Sequence, residues 1–249
     1  KGANVSMIGK TIEPHPKLEN TIYTASDAII KSTNNKNILP IQCDIRDNFQ
    51  IKNAVDLTKK KFSNIDGLVL NASALCLNDT LNQTTKEIDL MTNVNIKGTY
   101  IMGQESIKYI KDSSHPHIIV ISPPLEMISN KDWWVNHLYY SMSKFNMSLM
   151  AMSWHHEFKN IGVNTLWPRT TIDTAPVRNI LGGDKMVNIS RKPDIMAKSA
   201  ISIFMSDPKI CSGNNYIDDE VCASLDIDVN QYRINKNIDE KGLMPDFFC

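Results

Sequence analysis

Short runs of aliphatic and β-branched residues alternate along the chain with longer stretches whose apolar positions recur every three or four residues. This is the pattern of a parallel sheet wrapped by helices. Residues 3–8, 38–43, 65–72, 117–122 and 163–167 read as strands, and 213–218 adds a short final one. The strands at 65–72, 117–122 and 163–167 are apolar on both faces, as a doubly covered parallel sheet requires. Helical period runs through 21–32, 47–62, 84–111, 140–159 and 193–205. In 47–62, Ile51, Ala54, Val55, Thr58 and Phe62 share one face, and Lys59, Lys60 and Lys61 crowd the last turn, where cations meet the helix dipole. Pro193 falls near a first turn, where its missing N–H costs nothing. No repeat or composition break divides the chain. Residues 1–223 are expected to form one α/β domain. Residues 224–249, polar and weakly periodic, should be a C-terminal arm packed on it through Pro245-Asp246-Phe247-Phe248.

Composition narrows the classes. With 42% hydrophobic and 22% charged residues in 249, the chain is an ordinary globular one. Twenty-seven basic residues balance 27 acidic ones, so no global field draws it to nucleic acid or anionic lipid. No apolar run approaches the roughly 18 residues of a membrane span. The five cysteines are odd in number and scattered without C-x-x-C spacing, which points to reduced thiols in an intracellular compartment. The six histidines form no ligand set; His155 and His156, adjacent on a helix, are expected to diverge, and no metal is expected. The first residue is Lys1 rather than Met, and the expectation is that further residues precede it.

In open parallel sheets ligands gather beyond the carboxyl ends of the strands. Asp44 ends one strand, either accepting from an adenine amino group or capping the next helix. Asn71-Ala72-Ser73 ends another, as a small turn that admits a flat ligand or as a plain Asn-stabilised turn. Tyr140 and Lys144 stand one turn apart on a helix. A fixed cation beside a phenol stabilises the phenolate, so Tyr140 reads as a general acid or base tuned by Lys144, against a core aromatic beside an exposed lysine. Tyr232 and Lys236 share the spacing but follow no strand. Cys76 has no assignable basic partner and reads as an inert thiol.

Taken in order and spacing, Asp44, Asn71-Ala72-Ser73, Asn93-Val94-Asn95-Ile96-Lys97-Gly98-Thr99, Tyr140-x-x-x-Lys144 and Asn164-Thr165-Leu166-Trp167-Pro168 resemble the short-chain dehydrogenase/reductases. Further stretches shared with a subgroup of that family are 14–18, 21–25, 121–125, 181–183 and 245–248. The resemblance implies a Rossmann-like doubly wound parallel sheet and a nicotinamide cofactor. It implies Tyr140 as proton donor or acceptor, Lys144 on Tyr140 and the ribose, Asn95 holding a relay water, and a serine near Ser122 or Pro123 that polarises the substrate oxygen. Cofactor contacts are carried over to Lys10, Asp44, Asn71, Ala72, Tyr140, Lys144 and Pro168. Lys10, after the first strand, would neutralise a 2′-phosphate and so favours NADP over NAD.

The family's first strand and glycine-rich phosphate turn are not among these residues. Two strands are therefore expected to face each other unpaired, and without such a turn no nucleotide should be held. The interval from Ser122 to Tyr140 is also longer than the family's usual dozen or so residues. The expected function is an NADP-linked oxidoreductase interconverting an apolar alcohol and ketone, with Trp133, Trp134 and the 170–189 loop as pocket walls. The alternative is a catalytically impaired dehydrogenase-fold subunit in a larger assembly. Either as a homo-oligomer or as such a subunit, the mitochondrion is favoured over peroxisome or cytoplasm.

Overall fold

In a computed structural model that describes residues 2–15 and 20–249, six strands run parallel: β1 (Val5–Gly9), β2 (Ile38–Gln42), β3 (Gly67–Leu70), β4 (His117–Ile121), β5 (Gly162–Trp167) and β6 (Asn215–Ile217). They form two sheets, β2-β1 and β3-β4-β5-β6, as the expected gap requires. Among the described residues β1 pairs only with β2 and β3 only with β4, so each keeps one free backbone edge. Residues 16–18 of the stretch 14–18 lie outside the described residues.

Helices α1 (Ile22–Thr33), α2 (Asn48–Phe62), α3 (Thr85–Met91), α4 (Thr99–Ile110), α5 (Leu138–Glu157), α6 (Gly183–Asn188), α7 (Asp194–Phe204) and α8 (Asp218–Ala223) flank the sheets. Their starts are specified locally. Thr21 and Thr84 build reciprocal capping boxes, and Asp47 accepts from Phe49 N and Gln50 N at the head of α2. One apolar cluster takes Ile41 from β2, Ile51 and Val55 from α2, Leu70 from β3, Ile110 from α4, Val120 from β4 and Trp154 from α5. It therefore spans the break between the sheets and holds the two together where no strand pairing does. On the other face Ile119 and Leu166 pack against Ile203 of α7.

Several expectations need correction. The helix expected over 84–111 is broken into α3, a π-helical stretch Thr92–Gly98 and α4. The wider turn brings Asn95 into the interior and presses Gly98 onto Ile45, whose carbonyl oxygen would lie 2.7 Å from an added Cβ. Hydrophobic period cannot register one extra residue per turn. The strand expected over 65–72 retains only four residues, and the final strand yields at Asp218 to α8. Helix α5 begins two residues before Tyr140. The 170–189 loop contains a π-helical turn, Val177–Leu181, and α6. The rings of His155 and His156 do not diverge but lie 4.8 Å apart. The arm has more than one apolar anchor: Ile227, Val229 and Tyr232 pack on Ile172, Ile195 and Cys222, and Leu243 is buried. Such contacts join distant segments and leave no local periodic signal. Among the described residues no helix is long and apolar enough to cross a membrane.

Gly103 of α4 meets the indole of Trp154, so an added Cβ would stand 2.2 Å from its ring. Gly103→Ala should cost about 1–3 kcal/mol through overpacking. Thermal denaturation followed by circular dichroism should then show Tm lowered by about 2–10 °C.

Candidate functional site

Because every strand runs the same way, Lys10, Asp44, Asn71, Ser122, Pro168 and Asp218 all follow carboxyl ends of strands. They fall into two groups. At the ends of β1 and β2, exposed Lys10 acts electrostatically on Asp44, whose carboxylate takes the Arg46 guanidinium at 2.9 and 3.0 Å and the Arg46 N–H at 3.0 Å. Those hydrogen bonds hold Asp44 below the usual carboxylate range. Asp44 is thus tied to Arg46, while Asp47 caps the next helix. At the end of β3, Asn71, Ala72 and Ser73 are all exposed, leaving an open turn of small side chains.

The second group surrounds the first turns of α5. Tyr140 is 6% exposed and Lys144 2%. Lys144 Nζ donates to Ile121 O at 2.6 Å and lies 5.1 Å from the ring centroid of Trp167. The Tyr140 hydroxyl has no hydrogen-bond partner among the described residues. Asn95 is wholly buried: its Oδ1 accepts from Ala74 N at 2.6 Å, and its Nδ2 donates to Ala74 O at 2.9 Å and to Ser143 Oγ at 2.8 Å. Ser143 Oγ donates in turn to Tyr140 O at 2.8 Å. Both amide hydrogens of Asn95 are therefore committed to protein, and this side chain fastens the loop after β3 to the helix that carries Tyr140. Ser122 is buried with its Oγ unpartnered, whereas Pro123 brings no hydroxyl and offers its carbonyl to Ser148 Oγ.

Burial governs the charges here. Loss of hydration pushes the Tyr140 phenol up, with the field of Asp246 adding to it, and pushes Lys144 down to about 7. The expected lowering of Tyr140 by Lys144 is not found in this arrangement: burial and the field of Asp246 act on the phenol, and both raise it. Asp246 is pushed up to about 7 and Asp218 to about 6, again chiefly by burial.

The groups that sequence reasoning missed come from the arm. Phe247 stands edge to face on Tyr140 at 5.5 Å, and Trp133 contacts both Phe247 and Phe248, at 5.1 and 5.9 Å. Trp134, expected as a wall beside it, instead stacks on Phe145. Pro168 is buried, and its carbonyl accepts from Cys249 Sγ at 3.3 Å. The apolar run 245–248 inside a polar tail was the only signal available, and it could not name its target. Among the described residues no group of three or more His, Cys, Asp or Glu is placed to hold a metal.

Residues 17–181 match the family model described as short chain dehydrogenase. The chain is similar to hydroxysteroid dehydrogenase-like protein 2 of Homo sapiens, at 43% identity over 99% of this chain, and to that of Xenopus tropicalis, at 42% over 99%. It spans 57% and 58% of those relatives' lengths. A solved structure from Xanthomonas campestris superposes with a TM-score of 0.91 at 35% identity, over 100% of this chain and 89% of that one. A short chain dehydrogenase of Mycobacterium thermoresistibile gives 0.88 at 36%, over 99% and 86%. With the parallel sheet, the Tyr140 and Lys144 pair and a family match over more than half of its length, the chain belongs to the short-chain dehydrogenase family.

Proposed function

We propose that the protein is an NADP-linked oxidoreductase that interconverts an apolar secondary alcohol and its ketone, with Tyr140 as the proton donor or acceptor. The observation that carries this reading is the Tyr140 hydroxyl, which has no hydrogen-bond partner among the described residues although its ring is enclosed by Phe247 and other apolar side chains. A hydroxyl left free by the protein amid apolar side chains can take a substrate oxygen as its hydrogen-bond partner.

The nicotinamide end of a dinucleotide fits the residues present: an exposed small turn at Asn71 and Ala72, the free hydroxyl of Tyr140, and the Lys144 ammonium with donors beyond its bond to Ile121 O. The adenine end fits less well, since Asp44 is engaged by Arg46. Asn71, Ala72, Tyr140, Lys144 and Pro168 would hold the nicotinamide half, and Lys10 a 2′-phosphate. When bound, such a nucleotide supplies or takes up a hydride. The protein's own part is to deliver a proton from Tyr140 Oη to the ketone oxygen, or to receive one from the alcohol. Ser122 Oγ, orphaned and buried at the end of β4, supports its role as a second hydroxyl toward that oxygen. The surrounding aromatic side chains favour a substrate with little polar surface, in keeping with the relatives' hydroxysteroid dehydrogenase-like name.

A second reading, a dehydrogenase fold kept for assembly, draws on the surface of α5. Leu138, Met142, Leu149 and Met152 are exposed there, with Tyr100 of α4 near them. This apolar row suits self-association. Full-length protein that elutes as an oligomer yet turns over no ketone in the presence of NADPH would favour it.

Tyr140→Phe in the full-length protein should lower ketone reduction by about 10²-fold or more, because it removes one transferable proton. NADPH affinity measured by titration calorimetry should stay unchanged, since no phosphate contact is lost. Lys10→Asp should weaken NADPH binding by about ten- to a hundred-fold, the worth of one hydrogen bond to a charged group, while NADH binding changes little. Parallel titrations with the two nucleotides check this, and equal losses would remove the NADP assignment.

A further inference from the structure

The stretch from Met244 to Cys249 is laid along the segment that follows β5. Met244 is fixed on both sides: its N–H donates to Ile189 O at 3.0 Å and its carbonyl accepts from Thr171 N at 2.9 Å. Pro245 bridges Thr170 in antiparallel fashion but has no N–H to give. Beyond it the attachment is sparse. Asp246 N donates to Arg169 O at 3.0 Å, Trp167 Nε1 donates to Phe247 O at 2.8 Å, and Cys249 Sγ donates weakly to Pro168 O. The rest is aromatic contact: Phe247 on Tyr140, and Phe248 against Phe145 and Trp167 at 5.1 and 5.9 Å.

Two further facts bear on what this segment does. Phe248 is buried with φ at 75°, in the left-handed region that a bulky aromatic residue rarely enters and that persists only where surrounding contacts impose it. With the segment in place, Tyr140 keeps 6% of its surface, and Phe247 stands edge to face against its ring. A proton transfer needs the two oxygens within hydrogen-bond reach. The segment and a bound substrate therefore compete for the same side of Tyr140.

We propose that residues 245–249 are a displaceable cover over Tyr140, with Phe247 as the side chain that must lift before an apolar ketone enters and that sets the bulk admitted. The inference rests on the reading of Tyr140 as the proton-transferring residue. The cover begins where a doubly bonded residue, Met244, meets one without an N–H, Pro245. Lifting the cover breaks two backbone-carbonyl hydrogen bonds and one weak thiol contact, and it releases Phe248 from its left-handed conformation. The vacated wall, formed by Trp133, His137 and Trp167, remains apolar with a few polar edges, which suits a hydrophobic ketone rather than a charged one.

Nitration of tyrosines in the full-length protein, followed by peptide mass spectrometry, tests this directly. Tyr140 should react slowly in the unsubstituted protein and at least fivefold faster in Phe247→Ala, with exposed Tyr23 as the internal reference that does not change. Phe247→Ala should also lower KM severalfold for bulky ketones relative to small ones. Phe247→Leu, which keeps an apolar filling, should fall between. Hydrogen exchange on the unsubstituted protein gives an answer even if Phe247→Ala fails to fold: the amides of Asp246 and Cys249 should exchange at least tenfold faster than those of β5. Unchanged Tyr140 nitration in a folded Phe247→Ala protein, or strap amides as slow as β5, would overturn the cover. Faster nitration without ketone turnover in any variant would leave the cover standing and remove the oxidoreductase reading. Turnover with unaltered nitration and an unaltered ranking of ketones would do the opposite.

Discussion

The position of Tyr140 depends on one buried amide. Asn95 is reached by no solvent, and its three hydrogen bonds join both backbone groups of Ala74 to the hydroxyl of Ser143. A buried amide of this kind is stable only when fully satisfied, so its partners cannot drift independently. The loop after β3 and the first turns of α5 are thereby locked in one geometry. The π-helical turn 92–98 is what delivers the amide to that depth, and the hydrogen bond of Thr92 to the Tyr139 hydroxyl at 2.6 Å holds the turn against the same helix. A helical irregularity that weakens local backbone regularity is here repaid by the tertiary contacts it permits.

Around that fixed point the chemistry is set by dehydration rather than by ion pairing. Lys144 is packed between a strand-end carbonyl and an indole face, and its charged form is favoured by Ile121 O, Trp167 and the field of Asp246 against the cost of burial. Anything that admits water to this region moves Tyr140 and Lys144 toward their ordinary ionisation behaviour, and in opposite directions. Access and acidity at this site are therefore one variable, and the aromatic residues of the arm act on both.

Much of the layout was legible in the sequence because it is written in local code. Alternating apolar runs and helical faces gave the parallel sheet, capping residues gave helix starts, and the break in the sheet followed from the strand inventory. Tyr140 and Lys144 declared themselves by four-residue spacing after a strand. The π turn, the commitment of Asn95 to Ala74, the capture of Asp44 by Arg46 and the seat of Phe247 on Tyr140 were not legible. Each depends on the exact meeting of side chains, in most cases from segments far apart in the chain, which no window of neighbouring residues encodes. The pair Tyr140 and Lys144 also shows that a four-residue spacing sets two side chains on one helix face while burial, not the spacing, governs their acidity.

The interrupted sheet carries a consequence of a different kind, for mechanics. Among the described residues the half with Lys10 and Asp44 and the half with Tyr140 and Lys144 share side-chain packing but no ladder hydrogen bonds. Side-chain packing resists compression well and sliding poorly, whereas paired backbones resist sliding. Among these residues the seam between β1 and β3 is therefore joined by side chains alone, and the Lys10 end and the Tyr140 end of a long ligand would lie on its two sides.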